Sequence, residues 1–167
     1  MEEKITVRMT DTYLFDFTLY HTYSKLAGFL TNILGAAIAF MGIIMLVTGK
    51  IKPVQIIFYL VAAVVFIAYT PLLLKYRSKK QVKGIERYHV PNEMTFNDEG
   101  IQVEFAEKKE TYEWEQIQKV VTTPKTIGFY YETEKALIVP KPDFGDKFVP
   151  ILTLATKKLG PARVHLR

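Results

Sequence analysis

The chain of 167 residues contains no cysteine. Disulfide frameworks, zinc–thiolate centres and thiol nucleophiles are therefore excluded, and the fold needs no oxidising compartment. Histidine is scarce: His21, His89 and His165 are the whole set, and no two stand at metal-ligand spacing. An H-E-x-x-H pair, a phosphate-binding loop and a dinucleotide fingerprint are all missing. The triplet Asp143, Phe144, Gly145 matches one kinase element, but without the glycine-rich and catalytic loops it reads as a turn, with Asp146 near the start of the last helix. Glu113 and Glu115 flank Trp114; on a strand both would face solvent, because Trp114 takes the opposite face. The expectation is a protein that is not an enzyme and needs no cofactor or metal.

Charge is also missing where it matters most. From Leu26 to Leu74 only Lys50 and Lys52 are charged, whereas both flanks carry both signs throughout. The net charge of +5 is local: residues 88 to 167 hold eleven basic against twelve acidic side chains, and residues 1 to 25 hold three against four. The excess lies in the two hairpin lysines and in Lys75, Arg77, Lys79, Lys80, Lys83 and Arg87. No basic face remains on the polar part to track phosphates, which argues against nucleic acid as a partner.

What is present in residues 26 to 74 is a pair of apolar runs. Leu26 to Val47 and Val54 to Leu74 are uncharged, and roughly 20 helical residues at about 1.5 Å each cross a hydrocarbon core of about 30 Å. The polar N-terminal flank is too long for a cleavable signal. Between the runs, Gly49 suits a helix end and Pro53 a helix start, so an antiparallel hairpin is predicted. Lys25 and the six cations after Leu74 outnumber the hairpin lysines, which places both termini in the cytoplasm of an inner-membrane protein. Those six cations are read as a topology anchor on lipid headgroups, worth about 1 kcal/mol each, with a specific anionic-lipid site as the sharper alternative. Gly28, Thr31, Asn32, Gly35, Ala39 and Gly42 form one stripe of small or weakly polar residues, expected to pack against the second span or, alternatively, to build a homo-oligomer interface. Pro71 is expected to kink the second helix. Residues 10 to 23 read as a helix with Thr10 or Asp11 as cap, lying along the membrane surface.

Beyond residue 88 the periodicity changes to two. Met94 and Phe96; Ile101, Val103 and Phe105; Tyr112 and Trp114; Ile127, Phe129 and Tyr131; Leu137 and Val139 alternate with polar neighbours as half-buried strands do. Residues 97 to 100 and 106 to 110 read as hairpin turns. Phe148, Ile151, Leu152, Ala155 and Leu159 share a helical face that Gly160 and Pro161 bring to an end. Residues 5 to 9 can add a strand from the other end of the chain. The expected organisation is an N-terminal strand and interfacial helix (1–25), a membrane α-helical hairpin (26–74), a basic juxtamembrane segment (75–87), an α+β cytoplasmic domain (88–160) and a tail (161–167).

The stretch from Tyr112 to Phe144, "YEWEQIQKVVTTPKTIGFYYETEKALIVPKPDF", resembles the C-terminal domain of the YcxB-like family, with Trp114 and Pro140 at matching positions. The order of a polar segment, two spans and this domain resembles the same family. The resemblance implies an antiparallel, pleckstrin-homology-like β-barrel capped by one C-terminal helix, in a family with no catalytic residues to carry over. Trp114 is expected in the core with Phe129, Tyr131, Phe148 and Leu152. The loop used by phosphoinositide-binding members of the wider fold would here be the acidic 97–100 turn, which argues against that ligand. The functional expectation is a membrane-anchored scaffold or regulator that binds a protein or peptide partner near the bilayer. An oligomeric transport or channel accessory subunit and an anionic-lipid sensor are the alternatives.

Overall fold

A computed structural model of the chain describes residues 2–85, 88–106 and 108–165. Its contacts divide into two units, one of residues 1–17 and 78–167, the other of residues 18–77.

The second unit is helical. Helix α2 (Leu26–Val47) and helix α3 (Ile56–Gly84) are joined by a turn at Gly49, which takes the positive φ of +69° that only glycine adopts without strain, and by a short 3-10 turn at Pro53–Gln55. Both helices are long and apolar enough to cross a membrane. Their side chains are turned outward: Phe40, Val47, Phe58 and Leu72 are each more than 60% exposed. Helices solve the backbone problem in lipid because every N–H and C=O is paired within the segment. Helix α3 does not end at the apolar boundary; it continues through Pro71 and the cations to Gly84, so the basic segment is helical up to that point.

The first unit is built on two four-stranded sheets among the described residues. In the first, β1 (Glu3–Val7), β2 (Asn92–Phe96), β3 (Gly100–Phe105) and β4 (Lys108–Glu113) are antiparallel in that order. The predicted N-terminal strand pairs with β2 across the intervening helices, Ile5 opposite Met94. In the second sheet the order is β7 (Ala136–Pro140), β6 (Thr126–Tyr130), β5 (Lys119–Thr122), β8 (Val164–His165), with β8 parallel to β5. Helix α4 (Lys141–Phe144) and helix α5 (Phe148–Leu159) follow β7. Alternating side chains of both sheets and the inner face of α5 meet in one core that includes Phe96, Ile101, Phe129, Val139, Ile151 and Ala155, all fully buried. Each of these side chains except Ala155 contributes about 1.5–3 kcal/mol of burial.

Three expectations are corrected. The sheets do not close into a barrel: at β1, the Lys4 carbonyl accepts from the Lys147 ammonium (2.6 Å), and the Arg8 N–H, just past the strand, donates to Asp143 (2.7 Å). Two backbone groups at that edge are therefore satisfied by side chains from the α4 region instead of by another strand. Trp114 is not on a strand, since β4 ends at Glu113 and Trp114 opens a 3-10 turn that also carries Glu115. The triplet Asp143, Phe144, Gly145, read as a turn, is divided between the end of a short helix, where Phe144 is buried, and a 3-10 turn that begins at Gly145.

Helix α1 (Asp11–Tyr23) starts where predicted, with the Thr10 hydroxyl accepting from the Tyr13 N–H at 3.3 Å. Its first turns dock on protein: Leu14 and Phe17 are buried, and the Phe17 ring fills the space that a Cβ on Gly128 would occupy. The Asp16 carboxylate accepts from the Thr123 and Thr126 hydroxyls and from the Lys125 N–H, closing the turn between β5 and β6.

Candidate functional site

Four features combine position with chemistry; three lie within one unit, and the cationic end of α3 belongs to the helical unit up to Arg77 and to the sheet unit from Ser78 onward. The first is the helical seam. Gly35 meets Ile67, Ala63 and Phe66 of α3, and Gly42 meets the Tyr59 ring, each closely enough that a side chain at the glycine would force a shift. The Tyr59 hydroxyl donates to the Met45 sulfur at 3.2 Å. Gly28 instead packs on the Thr22 backbone. Thr31, Asn32 and Ala39 are half-buried on the same helix, and the Asn32 amide oxygen is enclosed with no hydrogen-bond partner. Two of the stripe's glycines therefore serve contacts between α2 and α3 of one chain.

The second feature is the cationic end of α3. Lys75, Arg77, Lys79, Lys80 and Lys83 are all exposed, and Lys75, Lys79 and Lys83 share a face at four-residue steps. Arg87 falls outside the described residues.

The third is the set of sheet edges. Among the described residues β1, β4, β7 and β8 are the outermost strands. The β1 edge is capped as described above. The β5 edge is covered by β8, where the Thr122 hydroxyl donates to the His165 carbonyl (3.4 Å) and Arg163 donates to the Ile117 carbonyl (3.3 Å). Strand β4 is exposed along nearly its whole length, with only Tyr112 partly covered. It carries both signs of charge, Lys108 and Lys109 at its start and Glu110 and Glu113 further along; Lys109 sits opposite Glu104 at 2.8 Å, which holds the Glu104 carboxyl below its usual range. An exposed pair of this kind is worth little to stability.

The fourth is a cavity of about 150 Å³ at the seam between the sheets, walled in part by Val7 and Met9 from one end of β1, by Met94 on β2, by Tyr112 and Tyr131, and by Ile138 on β7. The Tyr112 and Tyr131 rings pack with centroids 4.7 Å apart at 46°. The Tyr112 hydroxyl donates to Glu110 at 2.9 Å.

The remaining predicted core residues sit as follows. Trp114 is 3% exposed, and its indole N–H donates to the Asn97 carbonyl at 2.9 Å; the Asn97 side chain in turn accepts from the Glu99 and Gly100 N–H groups. The tryptophan thus locks the acidic turn between β2 and β3. Phe129 and Leu152 are buried, and Phe148 and Tyr131 are partly buried against the core. His21 lies on α1, His89 in the turn after α3 and His165 on β8. Among the described residues no three metal-ligating side chains cluster. Sequence reasoning did not anticipate the cavity or the Asp16 turn lock, since each joins residues that are distant along the chain.

Two helices long and apolar enough to span a membrane, on one chain with a two-sheet α+β unit, define the class of protein. Residues 96–149, from the end of β2 into the first turn of α5, match the family model described as YcxB-like protein. No curated protein and no solved structure matches the chain.

Proposed function

We propose that the chain is a non-enzymatic protein of the bacterial inner membrane, anchored by α2 and α3 with both termini in the cytoplasm, whose two-sheet unit binds an extended segment of a protein partner near the bilayer. The observation that carries this reading is strand β4, an edge exposed from Lys108 to Glu113 and bounded by hydrogen-bonded sheet on one side only. Strand addition at such an edge takes its affinity from main-chain hydrogen bonds and its selectivity from alternate side chains. The charges on β4 favour a segment with the opposite pattern. The outward apolar surface of α2 and α3 supports the anchor, and the cations of α3 support the orientation.

A photo-crosslinking amino acid at Thr111, in intact membranes, is expected to give a discrete adduct with a partner chain. The same probe at Glu2 is expected to give none. Equal, diffuse labelling from both positions refutes strand addition at β4. A tag on either terminus that a protease reaches from outside intact cells refutes the orientation.

The exposed face of Lys75, Lys79 and Lys83 favours a second reading, recognition of anionic lipid. It predicts that replacing the three with glutamine abolishes any dependence on anionic lipid in reconstituted vesicles. An oligomeric transport role draws less support, because Gly35 and Gly42 are covered by α3 of the same chain.

A further inference from the structure

The cavity between the sheets has a chemistry that the binding role proposed above does not use. It lies among residues of both sheets, whose outermost strands β1 and β7 are not paired with each other among the described residues, and the β1 edge is capped by Asp143 and Lys147. Its walls contain no charged residue; Asn92, 4% exposed, is the one carboxamide. An anion would enter without a counter-charge and lose its hydration, which is costly. At about 150 Å³ the space is far smaller than the pockets of several hundred Å³ that hold whole cofactors. It equals the volume of apolar cavities of about 150 Å³ that accept benzene.

The wall composition narrows the guest further. Three tyrosines, Tyr88, Tyr112 and Tyr131, and two methionines, Met9 and Met94, are among the ten residues that line it. Rings gain from edge-to-face contact with rings, and sulfur gains from contact with ring edges, beyond what an aliphatic group of equal area receives. Flexible methionines also let the walls adjust to a flat guest. We infer that this cavity is a recognition site for one uncharged aromatic ring, a phenyl or phenol group. The ring belongs either to a small molecule or to a side chain of another protein; the chemistry recognised is the same. This site does not depend on strand addition at β4, and either can fail without the other.

The test uses the full chain in detergent micelles with ¹³C-labelled methionine methyls. Met9 and Met94 report from the wall, while Met41 and Met45 on α2 serve as internal controls. Titration with p-cresol is expected to give saturable shifts at Met9 and Met94 only. Binding should be about two- to tenfold tighter than for 3-methylbutanol, the advantage that ring–ring contacts confer, and tighter than for tetramethylammonium. Ala136→Leu, which adds bulk to the wall, should remove the shifts, with Ala136→Val as the milder variant should Leu prevent folding. Trp114 emission checks the fold in each case. Absence of saturation at Met9 and Met94, equal shifts at Met41 and Met45, or tighter binding of the aliphatic or cationic probe each overturns the inference. A short extended peptide that displaces p-cresol through a tyrosine, and not through alanine at the same place, assigns the ring to a protein partner. Failure of the peptide to compete, with p-cresol still bound, assigns it to a small molecule.

Discussion

Phe58 and Phe129 are the same residue under opposite rules. Phe58, on α3, is 74% exposed on the surface of its own chain, while Phe129, on β6, is fully buried among side chains from both sheets and α5. In the helical unit the chain leaves its apolar surface uncovered by its own side chains, on helices long and apolar enough to cross a membrane, with the backbone paired internally and close approach at small residues. In the sheet unit the chain covers its own apolar surface, and stability rests on packing volume. Reading burial as importance therefore holds for one unit and fails for the other.

The largest effect should come from exchanging the same residue in each. Phe129→Ala is expected to cost about 3–5 kcal/mol and to shift the emission of Trp114, the single tryptophan, to that of an unfolded chain at moderate denaturant. Phe58→Ala is expected to leave that transition within about 0.5 kcal/mol of the parent. Equal losses at the two sites would break the comparison.

Next is Gly128→Val, which sets a side chain where the Phe17 ring lies. Overpacking of this kind costs about 1–3 kcal/mol, and the Trp114 transition measures it. In the other unit, Gly42→Cys paired with Tyr59→Cys should form a disulfide within one chain, because the Gly42 Cβ position lies against Tyr59 and the parent has no cysteine to compete. Dimers on a non-reducing gel, without the intrachain product, would assign the glycine face to an oligomer instead.

Asp16→Ala follows, at about 0.5–1.5 kcal/mol, because it removes the acceptor shared by the Thr123 and Thr126 hydroxyls and the Lys125 N–H, while the two hydroxyls keep their bond to each other and Thr123 keeps the Thr126 carbonyl. The smallest effect belongs to Asp143. Burial pushes its carboxyl above the ordinary range, against the opposing hydrogen bond from the Arg8 N–H. A raised folded-state value means that its contribution to stability is present below the ordinary carboxylate range and is lost as pH rises through the raised value. Asp143→Asn keeps an acceptor for Arg8, so it should flatten that slope and change stability at neutral pH by less than about 0.5 kcal/mol. A steeper slope in the variant would contradict the burial account.

Much of the local structure was readable in the residues. The two uncharged runs are helices, the C-terminal helix spans Phe148 to Leu159 as its apolar face and the Gly160 stop required, and the 97–100 turn lies between β2 and β3. Strand β5 was missed on periodicity, and the reason is physical: from Val120 to Thr122 it is buried on both faces, so the polar neighbours that give a strand its period of two are absent. Strand β6 is likewise buried throughout; it was read from the two-residue spacing of Ile127, Phe129 and Tyr131, of which Tyr131 lies just past its end. For the candidate sites, the exposed cations and the glycine stripe were legible as patterns on single helices. The cavity was not, because its wall draws on residues from Val7 to Ile138 that no local pattern relates.

Which stretches are apolar all round, which alternate and where each must stop can be read along the chain, because those are properties of neighbours and of the period of the backbone. That α1 lays Phe17 over Gly128, that Asp143 and Lys147 cap β1, and that residues of both sheets line a cavity emerges in the fold. Periodicity records that a face is apolar; which distant segment covers it is settled by shape, by volume and by the pairing of backbone groups, none of which is written in any one stretch of residues.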